Sequence, residues 1–170
     1  MLNRNQLKKE VGRSISSDKL SDYCGCSFVC YNELKDKNID NVPLPCIVLY
    51  LNTKNYGHYT CLFKNHMGIH FFDSYGYSPD KEFEFANKKL NYKGVPYMCK
   101  LLRDFKGKVI FNEVPLQSSD KSVATCGRWC AVRIRYKNLT QEEFVEFVKN
   151  ASKRLNLTLD ELVTVMTKGL

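Results

Sequence analysis

The stretch from Leu116 to Cys130 (LQSSDKSVATCGRWC) joins a polar loop to a predicted helix, and it contains the residue best suited to covalent chemistry. Its first half is rich in Ser and Asp, which favour turns and helix caps. From Cys126 onward the residues are mixed apolar and basic, and Cys126, Cys130 and Ile134 would share one helix face. Cys126 is therefore predicted at or near a helix N-terminus. Free backbone N–H groups and the helix dipole there favour the thiolate, the nucleophilic form of cysteine.

Another interpretation of Cys126 stays open on this stretch alone. A cysteine at a helix start is more often a small buried apolar side chain than a nucleophile. Gly127, directly after it, allows another backbone to approach closely, as a bound peptide would require.

A thiolate nucleophile needs two partners, a base and a group that orients the base. Two residues in the first half of the chain fit these roles. His58 opens a predicted strand directly after Gly57, and Asp73 closes the next predicted strand. In a hairpin, the start of one strand lies beside the end of the next. The sequence therefore predicts that His58 and Asp73 meet at one end of a sheet.

Other polar residues compete for these roles or add to them. Gln117 and the backbone N–H of Cys126 could stabilise an oxyanion, although Gln117 could also be an ordinary surface residue. Asp73 could be only a turn former in FDSYG. His70 lies mid-strand and His66 lies in a predicted turn that should be exposed, so both suit the base role less well than His58.

The order His58, Asp73, Gln117, Cys126, with the text GHY, FDSYG, LQ and TCGRWC, resembles the adenain-type cysteine proteases. This family includes the adenovirus maturation protease, its viral relatives and the proteases that process small ubiquitin-like modifiers. The segment LPCIVLYLNTKNYGHYTCLF is similar to the family's strand–loop–strand unit, with Tyr59 where the family usually has Trp. The resemblance covers about residues 17 to 138. Gln117 lies farther before Cys126 than the corresponding family residue does.

The resemblance implies a cysteine endopeptidase with an adenain-like, papain-related fold. Cys126 would be the nucleophile, His58 the base, Asp73 the orienting residue and Gln117 the oxyanion donor. The short chain suggests the form found in virophages or Polinton-like elements, cleaving viral capsid proteins during virion maturation. The expected location is then the virion and the host-cell interior. The sequence itself requires no cofactor, but the family implies DNA or an activating peptide, and Cys99 lies in the interval where such a peptide forms its disulfide.

The predicted fold class is α+β, a single domain over residues 1–170 with a central, mostly antiparallel sheet and flanking helices. Cys46–Asn52 is apolar almost throughout, as in a strand that is covered on both faces. The predicted strands are Cys46–Asn52, His58–Lys64, Gly68–Ser74 and Lys108–Val114, the first three forming a meander. The predicted helices lie in the basic N-terminal segment 1–22, at Asp18–Tyr23, at Lys81–Leu90 with Asp80 as its cap, from Cys126, and after the capping boxes Thr140/Glu143 and Thr158/Glu161.

Composition narrows the class of protein. The chain has 26 basic and 18 acidic residues, a net charge of +8, which favours an anionic partner or simply solubility. The longest apolar run, Cys46–Leu51, is too short to cross a membrane, and the N-terminus lacks the apolar core of a secretion signal. We therefore expect an intracellular protein with no membrane partner. The spacing of Cys24, Cys26 and Cys30 lacks a matching second pair, so reduced thiols are expected rather than a zinc site.

Three functions fit these observations. The first is capsid-maturation proteolysis, and the second is processing of ubiquitin-like conjugates by a deubiquitinase-like or SUMO-protease-like enzyme with the same residues. The third is a non-catalytic nucleic-acid-binding module, which the positive charge favours. Loss of function in Cys126→Ala separates the third hypothesis from the first two.

The basic residues predict non-specific DNA binding through phosphates. A protein that neutralises ~4 phosphates should show a slope of about −3.6 for log affinity against log salt. Titration of duplex DNA at several salt concentrations measures this slope, and no binding at low salt would assign the charge to solubility or to a protein partner. The basic groups are Lys8, Lys9 and Arg13; Lys88, Lys89 and Lys93; Lys100, Arg103, Lys106 and Lys108; and Arg133, Arg135 and Lys137.

Overall fold

A five-stranded sheet lies between two clusters of buried side chains in the computed structural model, which describes residues 3–170. Residues 1 and 2 of the predicted N-terminal segment lie outside the described part. The strands in spatial order are β1 (Ser27–Cys30), β2 (Cys46–Thr53), β3 (Tyr56–Asn65), β4 (Gly68–Phe72) and β5 (Val109–Phe111).

The strand directions make the sheet mixed, where the sequence predicted a mostly antiparallel one. The meander is confirmed, because β2 pairs with β3 and β3 with β4 in antiparallel register. The two outer pairings, β1 with β2 and β4 with β5, are parallel. The short strand β1 was not predicted, and residues 73–108 carry the chain back to the end at which β4 starts, which makes β5 parallel to β4. The fold class α+β is confirmed.

Local capping signals place most of the helices. Thr140 and Glu143 form the predicted capping box, and so do Thr158 and Glu161. Gly25 ends the second helix with a φ of 58°, a conformation that favours glycine. The described helices are α1 (Arg4–Val11), α2 (Ser17–Cys24), α3 (Tyr97–Arg103), α4 (Cys126–Arg135), α5 (Gln141–Leu155) and α6 (Leu159–Met166).

The predicted helix over Lys81–Leu90 is wrong. Only a 3-10 turn, Lys81–Glu84, forms there, and the side chain of Asp80 does not cap it. The Asp80 carboxylate instead accepts hydrogen bonds from the hydroxyls of Tyr31 (2.7 Å) and Tyr50 (3.2 Å) and from the backbone N–H of Cys99 (2.8 Å). Tertiary hydrogen bonds to the aspartate therefore replace the local cap, and the helix in this region is α3, which the sequence did not reveal.

Strand β2 is covered on both faces, as its apolar sequence predicted. Ile47 and Leu49 belong to the cluster that includes helices α4 to α6, whereas Val48 and Tyr50 belong to the cluster on the other face. Helix α4 packs against β3 and is buried from Gly127 to Ile134, so residues beyond the predicted apolar face are covered as well.

Arg133 is fully buried in α4, which removes it from the predicted basic surface groups. Its guanidinium lies 4.6 Å from the ring centre of Phe63 and 4.8 Å from that of Phe144. It also donates hydrogen bonds to the carbonyls of Tyr136 (2.9 Å) and Leu139 (3.1 Å) at the end of α4. Arg133 therefore contributes to the core and cannot contact a phosphate.

The described part of the chain, residues 3–170, contains no helix with the length and apolar character needed to span a membrane.

Replacing Arg133 with Met should lower the free energy of unfolding by about 2–4 kcal/mol, because two part-buried carbonyls lose their donors and two buried rings lose their contact with the guanidinium. Urea unfolding measures the change. Arg135→Met in the same helix is the matched control, and because Arg135 is exposed its loss should stay below about 1 kcal/mol. Equal losses in the two variants would show that the buried hydrogen bonds contribute little.

Candidate active site

Cys126 is the first residue of helix α4, which confirms the predicted helix start. Its side chain is half-buried, and its place in the first turn puts it at the end of the helix where backbone N–H groups have no partner within the helix. Gly127 packs closely, since a Cβ there would lie 3.0 Å from a methyl carbon of Leu20 and 3.3 Å from the ring of Tyr59. The glycine therefore lets α4 pack against α2 and β3, which fixes the position of the thiol relative to the sheet.

The structure brings His58 and Asp73 together at one end of the sheet. His58 lies near the start of β3, and Asp73 follows the last residue of β4. The Nε2 atom of His58 is 3.1 Å from Oδ1 of Asp73, and both side chains are at least 95% buried. The antiparallel pairing of β3 with β4 produces this contact, as the hairpin argument expected.

The ring of His58 is held in one orientation. Tyr75 stacks on it at 4.8 Å between ring centres with an interplanar angle of 22°. Because Nε2 faces Asp73, Nδ1 is the nitrogen that remains for Cys126, whose side chain is in hydrogen-bonding reach of the ring. Burial acts to lower the pKa of His58, but the charge and hydrogen bond of Asp73 and the interaction with Cys126 raise it well above its ordinary value. The site therefore favours the imidazolium form.

Asp73 both forms the turn and orients the histidine, so the two interpretations of this residue are compatible. Its Oδ1 also accepts a hydrogen bond from the backbone N–H of Tyr75 (2.7 Å), and its carbonyl accepts one from the N–H of Gly76 (3.0 Å). Gly76 has a φ of 74°, and a Cβ there would lie 2.8 Å from the backbone of Val114. The turn therefore requires glycine and holds the carboxylate toward His58.

Gln117 is buried, so the interpretation as a surface polar residue is wrong. The Ser74 hydroxyl donates to its Oε1 at 2.8 Å, and its Nε2 donates to the hydroxyl of Tyr75 at 3.1 Å. Its backbone N–H donates to the carbonyl of Ser74 at 3.0 Å. Gln117 lines the same cavity as His58 and Cys126. The loop between Gln117 and Cys126 therefore accommodates a separation that is longer than in the adenain-type proteases.

The other histidines lie outside this arrangement. His70 is buried, stacks on Phe63 at 4.6 Å and contacts Asn65 through a 3.1 Å hydrogen bond. Burial, with the charge of Arg133, lowers the pKa of His70 to about 4. His66 is exposed, as the sequence predicted.

Asp160 anchors the loop between Gln117 and Cys126, a role that the sequence analysis missed. Its Oδ2 accepts a hydrogen bond from the backbone N–H of Ser118 at 3.0 Å. Its Oδ1 accepts hydrogen bonds from the hydroxyl of Thr125 and from Nε1 of Trp129, the latter at 3.2 Å. One buried carboxylate at the start of α6 thus holds both ends of the loop. The only sequence signal was an acidic residue in a helix first turn, which usually indicates nothing more than a favourable helix dipole.

Two cavities meet at the thiol. One has a volume of about 500 Å³ and the other about 350 Å³. Both are lined by Tyr56, Gly57, Ala124 and Cys126, so together they form a cleft that passes Cys126. An extended peptide that lies in this cleft would pass its backbone over Cys126.

Glu82 adds a second carboxylate beside His58 and Asp73. Within residues 3–170, these three residues are the group whose potential metal-ligand atoms lie within 4.8 Å of one another. The Nε2 atom of His58 is engaged with Asp73, so a metal here would compete with the pair that orients the ring. Glu82 was not predicted from the sequence, because it lies in the segment for which a helix was expected.

Comparison with known proteins supplies a viral relative. No protein-family model matches the chain. It is 37% identical over 145 residues to the uncharacterized protein V9 of the Sputnik virophage, a match that covers 80% of this chain and 82% of that protein. The chain belongs to the family of this virophage protein. The viral source agrees with the expectation from the sequence, and because the name of the relative specifies no activity, the functional argument depends on the geometry of the site.

Replacing Asp160 with Asn should lower the free energy of unfolding by about 2–3 kcal/mol, because one oxygen that accepts hydrogen bonds becomes a donor facing other donors. Urea unfolding measures the loss, and hydrogen exchange at the Ser118 amide should become faster. Asp36→Asn, at an exposed position, is the control and should change the free energy by less than about 0.5 kcal/mol. If both variants behave alike, Asp160 does not anchor the loop.

Proposed function

We propose that this virophage-family protein is a cysteine endopeptidase with an adenain-like, papain-related version of the α+β fold. The observation that carries the proposal is the buried His58–Asp73 pair at 3.1 Å, next to Cys126 at the start of α4 in a cleft. A nucleophile, a base within its reach and a third group that orients the base are the parts that acyl transfer to a thiol requires. The order of these residues along the chain is the one that suggested the adenain-type proteases.

The first half of the reaction follows from the orientation of the histidine. Nδ1 of His58 accepts the thiol proton, and the Cys126 sulfur attacks the carbonyl carbon of the scissile peptide bond. Asp73 stabilises the resulting imidazolium through Nε2. The imidazolium then donates its Nδ1 proton to the departing amine, which leaves an acyl group on the sulfur.

The second half regenerates the enzyme. Nδ1 of His58 accepts a proton from a water molecule while the water oxygen attacks the acyl carbon. The tetrahedral intermediate then expels the Cys126 thiolate, which takes the proton back from Nδ1, and the acid product leaves as a carboxylate after losing its own proton to solvent. In both halves a tetrahedral oxyanion forms. Its donors would be the backbone N–H of Cys126 and the second N–H of the Gln117 side-chain amide, since the first donates to the hydroxyl of Tyr75.

The proposed substrates are viral structural proteins, cleaved in the virion or in the host-cell interior. The virophage relative supports the viral setting, and the cleft supports binding of an extended peptide. A deubiquitinase-like or SUMO-protease-like activity would use the same residues on a different substrate. Incubation with capsid protein and with ubiquitin-like precursors in parallel distinguishes the two.

Non-specific DNA remains the proposed additional partner. Arg133 is buried and therefore leaves the predicted basic groups, and Lys137 is half-buried. The other members of these groups are exposed and could contact phosphates: Lys8, Lys9 and Arg13; Lys88, Lys89 and Lys93; Lys100, Arg103, Lys106 and Lys108; and Arg135.

Co-expression with the virus's capsid protein, followed by mass analysis of the products, tests the endopeptidase. Cys126→Ala should lower cleavage at least about a thousandfold, because no other group can form the acyl intermediate. Cys24→Ala, which removes a half-buried thiol that does not line the cleft, is the matched control and should cleave like the wild type. Cleavage by Cys126→Ala near the wild-type rate would exclude the thiol mechanism.

Substitutions of the other members of the site refine the same experiment. His58→Ala should lose nearly as much activity as Cys126→Ala, since both the base and the proton donor are removed. Asp73→Asn should lose less, because the amide keeps an acceptor but lacks the charge that stabilises the imidazolium. An inactive His70→Ala variant together with an active His58→Ala variant would show that His70, and not His58, is the base.

A further inference from the structure

The smaller cavity of the cleft has features that the proposed peptide hydrolysis does not require. It has a volume of about 350 Å³ and runs from Cys126 and His58 past a group of aromatic side chains. Tyr56 and Phe85 line it and are 50% and 61% exposed. Large apolar side chains with such exposure beside a nucleophile indicate contact with a ligand.

The aromatic side chains form a continuous stack that leads away from the catalytic histidine. Tyr75 lies on His58, Tyr77 follows at 5.5 Å between ring centres, and Phe85 stacks on Tyr77 at 5.4 Å with an interplanar angle of 15°. All four rings line the cavity. Aromatic faces carry negative potential, so they attract cations as well as apolar groups.

Glu82 supplies a charge at the inner end of this stack. Its side chain is 5% exposed and lines the cavity, and its Oε2 has no hydrogen-bond partner. A nitrogen of His58 and an oxygen of Asp73 each lie within 4.8 Å of a carboxylate oxygen of Glu82. Burial raises the pKa of Glu82 to about 7, with His58 acting against this shift and Asp73 adding to it. A buried carboxylate without a partner is unfavourable, and a cationic ligand would correct this.

We propose that this cavity is a subsite for a lysine or arginine side chain of the substrate, with its methylene groups against the aromatic stack and its cation against Glu82. The inference rests on the proposed endopeptidase function and names a substrate feature that this function leaves open. An apolar side chain fits less well, because it would bury Glu82 further without giving Oε2 a partner. The ammonium and guanidinium groups both donate hydrogen bonds to a carboxylate, so the subsite accepts either residue.

Proton linkage gives the subsite a pH dependence with a definite sign. A cation binds the ionised form of Glu82, so its presence lowers the pKa of this carboxyl from about 7. The preference for a basic side chain is therefore fully present above about pH 7 and is lost as the pH falls below that value. The titratable groups that face Glu82 are His58, Asp73 and Tyr75. Their ionisation changes catalysis equally for two substrates, so it cancels in the ratio of the two kcat/KM values.

The test uses pairs of peptides that differ only in lysine or norleucine, which has nearly the same length and no charge. A positional peptide library first identifies the position that enters the cavity. The wild type should then cleave the lysine peptide with a kcat/KM at least about tenfold above that of the norleucine peptide at pH 8, and the ratio should fall toward one at pH 6. In Glu82→Gln the ratio should be near one at both pH values. Exposed Glu84→Gln, two residues away, is the matched control and should keep the wild-type ratio.

A binding measurement separates this inference from the endopeptidase proposal. Calorimetry with Cys126→Ala should show about tenfold tighter binding of the lysine peptide than of the norleucine peptide, without any cleavage. Equal cleavage and equal binding of the two peptides would overturn the subsite while leaving the endopeptidase intact. Selective binding without cleavage of any peptide by the wild type would instead overturn the endopeptidase and, with it, the role of this cavity as a protease subsite.

Discussion

The hydrogen bond between His58 and Asp73 is the interaction on which the rest of the site depends. It lies at the end of the β3–β4 hairpin, where both side chains are removed from water and their attraction is stronger than at the surface. By fixing Nε2, it leaves Nδ1 of the ring toward Cys126. Two further features fix the same pair. The turn at Gly76 holds the Asp73 carboxylate in place, and the stacking of Tyr75 holds the ring of His58.

A second constraint connects the sheet to the helical part of the chain. His58 and Asp73 come from the β3–β4 hairpin, whereas Cys126 starts helix α4, so the loop between Gln117 and Cys126 must keep the two parts aligned. Ser74 binds the start of this loop from the sheet, and Asp160 binds both of its ends from α6. The C-terminal helices thus contribute to the site although none of their residues faces the reacting atoms. This arrangement explains why a loop rich in Ser, Asp and Lys can hold a fixed conformation.

The sequence predicted the features that local signals determine. Capping boxes placed α5 and α6, apolar patterning placed β2 to β4, and the change from polar loop to apolar helix placed Cys126 at the start of α4. It failed where tertiary contacts outweigh local preference, as at Asp80, which bonds to two tyrosines instead of capping a helix. Asp160 was missed because its hydrogen-bond donors, Ser118, Thr125 and Trp129, are distant in the chain. Glu82 was missed because only the tertiary fold brings it beside His58 and Asp73. Nothing in the local sequence of either residue distinguishes it from an ordinary surface acid.

Selective alkylation tests the central claim, that the His58–Asp73 pair makes Cys126 a nucleophile. Native protein is treated at pH 6 with a limiting amount of iodoacetamide, and the modified cysteines are mapped by mass spectrometry. Cys99 is the internal comparison, because it is an exposed residue with an unreactive thiol. Partial burial of the thiol, with the charge of nearby Asp80, raises its pKa to about 11. The account predicts that Cys126 reacts first and that His58→Gln abolishes this preference. Modification of Cys99 ahead of half-buried Cys126, or the same labelling pattern in His58→Gln, would contradict it.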